Sequence, residues 1–462
     1  MREKLIGYLK GLTPGAQQML LRALEDRSDP AEIDTQTKLI LDAAREVVRS
    51  GVDSMTPEGR LATLRELFFQ PVAAFIVEED VVNRQHGRFF ATSIAGIWGY
   101  LIRDVIPDLL PPWVDSEASL LFLPELERKR QLQSMRDEAL TRLATKVEDI
   151  RAKPKGHFRL VGLLGGEFAL ADCDDLILLH SRLAQIVLMQ RELPEKIAIG
   201  EPSEAAAMRT AERHLMMHPE DVTWLASAIL RRSVAPASLV RIAVGIAGSD
   251  DAADIRASRA ARFMDVYLHE VECVVWRFRE ALHRHRDFSL VEAELFRFHQ
   301  MVRAILIAVD FDGDREWRKR LGDLRNDMSE IIRPAIETTV ALIRRAIHIE
   351  GNNLSVDHSI DRQDARWAVQ LLVQARNCRE SLAINEVAAR TFQATEHAIE
   401  VLSERVLEQV RKLVGPAQDE AIASAELMVD LSELVFGPAY ASVRRKAFDR
   451  VVSRTLPFSD VI

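Results

Sequence analysis

The chain has 462 residues, a formal net charge of −9, 28% charged side chains and 48% hydrophobic ones. That length exceeds one ordinary core, and the mixture excludes a disordered polymer and a nucleic-acid surface spread over the whole protein. Glycine (20), proline (17) and aromatic residues (6%) are sparse, which favours helices over strands and turns.

The opening MREKLIGYLKGL is charged at both ends of a short apolar stripe and has no long apolar region, so no secretory signal is expected. Thr13-Pro14 and Thr56-Pro57 each put a hydroxyl at a helix N-cap and a proline at the first helical position, where its missing N–H costs nothing. The segments they open, TPGAQQMLLRAL and TPEGRLATLREL, match at Thr, Pro, Leu, Arg and Leu. Capping alone explains the Thr-Pro, so the echo is weak support for a repeat. The run ATSIAGIWGYLI (91–102) is the longest uncharged apolar stretch and falls short of the ~18–20 residues a membrane span needs.

After a proline-rich break at 107–119, a charged helix is predicted from Pro124 to about Ile150, with an apolar seam at Leu140, Leu143, Val147 and Ile150, ending at KPKGH. RLVGLLGGEFALAD (159–172) has a glycine pair without phosphate-loop spacing and reads as a turn or a close helix contact. ADCDDL (171–176) reads as a helix start with acidic residues at the positive end of the dipole. A second break covers 191–204, and 218–248 reads as two short helices, each entered through a proline.

Beyond residue 250 the pattern is clearest. Met264, Leu268, Val271, Val275, Phe278 and Leu282 alternate spacings of four and three, as coiled-coil a/d positions do. Val291, Leu295, Phe298, Val302, Ile305 and Val309 repeat it behind a predicted capping box of Ser289 and Glu292. Trp317, Leu321, Leu324, Met328 and Ile331 follow; Pro334 should kink or restart the helix before Ile336, Val340, Ile343 and Ile347. Further helices are predicted at 359–380, 383–414, 417–436 and 439–455, with Gly415-Pro416 and Gly437-Pro438 as punctuation. No segment shows the sustained alternation of strands. The fold class expected is all-α, an elongated multi-helix bundle or helical array with long antiparallel helices in the C-terminal half. Three regions are expected: 1–110, 120–250 and a long-helix bundle over 251–462.

Chemistry-bearing residues are few. HEVEC (269–273) resembles the zinc-protease pattern HExxH with Cys273 in place of the second histidine. His269 and Cys273 share a helical face as metal ligands must, and Glu270 stands where a general base would. His283 is fourteen residues along, about 21 Å of helix, and cannot join them. His299 is a better third ligand, but the heptad places His269 and Cys273 at b and f, away from the seam that His299 flanks. The competing expectation is structural: His269, Cys273, Trp276, Glu280 and His283 form a second stripe on a helix packed on both sides or offering an outer contact surface.

DFDGD (310–314) lacks the calcium-loop glycine and glutamate, since Arg315 and Leu321 stand there, and reads as a turn in which Asp312 or Asp314 caps the next helix. Near the C-terminus, Arg444, Arg445, Lys446, Arg450 and Arg454 accompany Val443, Ala447, Phe448, Val451 and Val452. That helix is expected either to dock on the body or to meet an anionic partner or membrane surface. Cys173, Cys273 and Cys378 lack paired spacing, which suits a reducing cytoplasm, and the excess of arginine over lysine suits a GC-rich bacterial genome. No common catalytic set and no cofactor motif is present. The reading is a non-catalytic scaffold, adaptor or regulator with a protein partner. The alternatives are a metal-dependent hydrolase built on His269, Glu270 and Cys273, and a peripheral membrane protein held by the C-terminal basic helix.

Overall fold

A computed structural model describes residues 6, 9, 20, 40–44, 56–115, 120–284, 288–347 and 358–455. The predicted Thr13-Pro14 helix start lies outside these residues. The chain forms two compact units, Met1–Pro194 with Thr223–Arg231, and Glu195–Val222 with Arg232–Ile462. Both are all-α.

In the first unit, α1 (Pro57–Phe69) starts as its capping signal predicts: Thr56 accepts from Gly59 N at 3.2 Å. A 3₁₀ turn leads to β1 (Ile76–Val77), which pairs in parallel with β2 (Phe89–Phe90), a two-residue ladder with no counterpart in the sequence pattern. Next comes α2 (Ala91–Tyr100), which widens into a π turn over Leu101–Val105 before Pro107 ends it. A Cβ at Gly96 would collide with the Leu164 carbonyl, so glycine here lets two helices touch. Then follow α3 (Pro111–Val114), α4 (Glu125–Arg151), α5 (Gly156–Leu164), α6 (Glu167–Ser181) and α7 (Leu183–Glu192). The predicted helix start at 171–176 is corrected: α6 begins at Glu167, and Gly165-Gly166 make the turn that precedes it. Asp172 and Asp175 therefore sit mid-helix and buried, for a reason given below.

The second unit holds α8 (Pro202–Met217), and α9 (Val222–Arg232) runs across the boundary as largely first-unit chain. It continues with α10 (Ala237–Ala247), α11 (Ala252–Ala257), α12 (Ala261–Arg284), α13 (Phe288–Ala308), α14 (Arg315–Glu337) and α15 (Thr339–Ala346). The last four are α16 (Ser359–Asn377), α17 (Asn385–Lys412), α18 (Pro416–Phe436) and α19 (Pro438–Thr455). The heptad seams are the core: Met264, Leu268, Val271, Phe278, Val291, Leu295, Phe298, Val302 and Ile305 are fully buried. Two details differ. α13 already includes Ser289, one residue past its first, so the predicted capping box is displaced. Ile332 replaces Ile331 in the seam of α14, because an uncoiled helix of 3.6 residues per turn drifts from a strict heptad. Pro334 is accommodated, and the break falls at Thr338. A further cluster, including Ile343, Val369, Ile399, Val406, Leu431 and Phe448, joins α15 to α19. Each such residue contributes roughly 1.5–3 kcal/mol on burial.

Candidate functional site

The HEVEC stretch lies in the middle of α12, where residues 266–275 are buried without a gap. Both faces of the helix are packed, so the outer-surface alternative for His269 and Cys273 is removed. Cys273 Sγ and His269 Nδ1 approach to 3.7 Å, one turn apart. Glu270 is only 6% exposed and accepts from Arg277 Nη2 at 3.1 Å and Arg297 Nη2 at 3.2 Å, while Arg277 Nε reaches Glu294 at 3.1 Å. Glu272 pairs with Arg320 at 3.7 Å. These acids tie α12 to α13 and to α14.

His299 Nδ1 instead contacts Ser381 Oγ at 2.8 Å, and burial followed by the Arg303 charge holds its pKa below the ordinary histidine value. His283 Nδ1 contacts the Arg279 carbonyl at 2.7 Å on an exposed turn. Among the described residues no group of three or more His, Cys, Asp or Glu could hold a metal ion.

The DFDGD turn caps α14 as its composition suggests. Asp314 accepts from Glu316 N at 2.8 Å and Trp317 N at 2.9 Å, and it also binds Arg256. The Arg256 guanidinium lies 4.3 Å from the Trp317 ring centroid, and Trp317 Nε1 donates to Asp265 at 2.9 Å. Burial alone would raise the Asp314 pKa, but the Trp317 amide and Arg256 outweigh it and hold the carboxyl below the usual Asp value.

On the C-terminal helix α19, Ala441, Phe448 and Val451 turn inward and Val443 is exposed. Arg444 donates to Tyr440 Oη at 2.8 Å and Arg445 lies 3.6 Å from Asp430, while Lys446 and Arg450 are exposed. The inward apolar face of this helix packs on α17 and α18, as the docking expectation supposed.

Sequence reasoning missed a charge cluster in the first unit. The loop between β1 and β2 brings Arg84 and His86 onto α6. Arg84 Nε donates to Asp172 at 2.7 Å and its Nη2 to Asp175, while His86 Nδ1 lies 2.7 Å from Asp175. Gly87 N donates to Asp175 at 3.0 Å and Phe90 N to Asp172 at 3.1 Å. Gly87 has φ +74°, and a Cβ there would press on Trp224, a fully buried side chain of α9. For Asp175 burial raises the pKa, but His86, the Gly87 amide and Arg84 together lower it; for Asp172 burial prevails and the pKa is raised. The arrangement resembles the orienting half of a catalytic dyad. No hydroxyl or thiol among the described residues is hydrogen-bonded to the His86 ring, and the bonds from Arg84, His86, Gly87 and Phe90 fasten the loop to α6. Its only sequence trace is carboxylates three apart on a helix, with partners some ninety residues away.

A concavity of about 570 Å³ lies in the second unit and is lined by Leu306, Ile307, Val309, Phe311, Leu321, Gly322 and charged neighbours. No protein-family model, characterised protein or solved structure matches this chain.

Proposed function

We propose that this chain is a non-catalytic helical scaffold or adaptor that acts by protein–protein contact. One contrast carries the reading. The acids that could perform chemistry, Asp172, Asp175, Glu270, Glu272 and Asp314, are engaged by arginines inside the folded units. Meanwhile α13 leaves Phe296 and Ile307 exposed on its outer face, Ile307 at 75%, with Leu290 and Leu306 exposed on its flanks. Exposed large apolar residues grouped on one element favour a contact surface. Three buried cysteines, none of them in a disulfide, suit a reducing cytoplasm. No helix among the described residues is long and apolar enough to cross a membrane.

The rival readings receive less support. A hydrolase centred on His269, Glu270 and Cys273 needs Glu270 free to take a proton, and two arginines hold it. Membrane docking through Arg444, Arg445, Lys446 and Arg450 needs an apolar face, and Phe448 and Val451 point into the bundle.

The test is co-purification from the native host at native abundance, followed by reconstitution from purified components. A specific partner that binds wild type and binds Phe296→Ala at least tenfold more weakly is expected, as for an exposed aromatic anchor. Turnover by the purified chain on its own contradicts the reading.

A further inference from the structure

α13 and α14 leave the turn at 309–314 and both pack on α12, so a cleft opens between them. Leu306 and Ile307 form one wall, and Leu321 lies on the floor. Gly322 sits on the α14 side, and nothing lies within 4 Å of where its Cβ would be. A helix interior with a glycine facing open space forgoes roughly 1 kcal/mol of helix propensity, and here it leaves room for another chain's side chain.

The charges of the cleft are separated. Arg325, half-buried, is held by the Glu380 carbonyl at 2.9 Å and the Ser381 carbonyl at 3.3 Å, and no carboxylate pairs with it among the described residues. At the turn end, Asp250 and Asp310 lie side by side, because Asp310 N donates to the Asp250 carbonyl at 2.8 Å; neither has an ion-pair partner among the described residues. Arg318, between them, already pairs with Asp312 at 2.6 Å. α14 begins at Arg315, so Arg325 lies ten residues on, about 15 Å of helix from the turn.

We propose that this cleft is the docking site for a short helical segment of a protein partner, apolar at its centre, basic at one end and acidic at the other. About ten residues span the cleft. The apolar centre seats over Gly322 against Leu306 and Ile307, the acidic end meets Arg325, and the basic end meets Asp250 and Asp310. Charge polarity then sets the direction in which the segment lies, and the contact with Leu306 and Ile307 adds to the affinity.

The inference rests on the interaction-protein reading and deepens it. Random dodecamer peptides displayed on phage are selected against the full chain. Enriched sequences are synthesised with fluorescein and titrated by anisotropy against wild type, Gly322→Leu and Asp250→Lys. Enriched peptides are expected to carry Lys or Arg at one end, apolar residues at the centre and Asp or Glu at the other end. They should bind Gly322→Leu at least tenfold more weakly, with its thermal midpoint unchanged or raised, and Asp250→Lys should lose the preference for a basic end. No enrichment, enrichment without charge polarity, or equal binding to Gly322→Leu overturns the proposal. So does a wild-type dimer in light scattering that Gly322→Leu converts to monomer, because the occupant is then a second copy. A natural partner that binds Gly322→Leu as well as wild type removes the cleft and leaves the interaction reading standing; turnover by the purified chain removes the reading itself.

Discussion

Asp314 concentrates several jobs in one carboxylate: it caps α14, pairs with Arg256 and holds that guanidinium over Trp317. Asp314→Ala should lower stability by about 1–2 kcal/mol from the lost cap, with more from the abandoned arginine. Asp314→Asn keeps cap geometry and removes the charge, so it isolates the ion pair. Because the folded carboxyl has a pKa below its ordinary value, its charge contributes fully above the ordinary Asp range near ~4 and fades as pH falls through the lowered value. Urea titrations of wild type and Asp314→Asn should differ at pH 7 and converge as pH falls through the lowered value. A gap that persists in acid would show that the charge is not the source. The turn was legible because Asp before a helix is a local signal. The Arg84 and His86 fastening was not, because its partners Asp172 and Asp175 are distant in sequence and look like a helix start when read alone.

At the scale of elements, helix positions could be read in advance where periodicity was long and unbroken. α4, α12 and α16 to α19 lie within a few residues of expectation, since 3.6-residue spacing and glycine-proline punctuation are properties of short windows. The β1–β2 pair was invisible because two-residue strands carry no alternation. The role of α12 was half visible. Its a/d seam stood out, but burial of the opposite stripe depends on neighbours that no window contains. Charge partners decide that role: Glu270 is clasped by Arg277 from its own helix and Arg297 from α13. Glu270→Ala removes a partner from both arginines and should cost about 2–3 kcal/mol, less than a fully broken buried pair because Arg277 keeps Glu294 and both arginines remain partly exposed. Glu270→Gln should cost less, since it retains hydrogen-bond acceptance. Chemical denaturation measures both. Equal stability of Glu270→Ala and wild type would mean that the carboxylate has no structural role.

Across the whole molecule, two all-α units bury their seams and hold several buried acids in arginine pairs, and the second unit carries exposed apolar residues on α13 and a cleft with separated charges. On the proposed reading such a molecule presents shape and charge to other chains, and α12 is a buried, packed core helix of the second unit. Packing of that kind is measurable, because amides at the centre of a packed unit exchange only when the unit opens. Native-state hydrogen exchange of the full chain, resolved by peptide and repeated with a chelator, examines the helix that carries His269, Glu270 and Cys273. Segment 263–278 should be among the slowest in its unit, with rates that chelation leaves unchanged. Fast exchange there, or protection that collapses when metal is withdrawn, would contradict the assignment of this helix to the core and restore the metal reading.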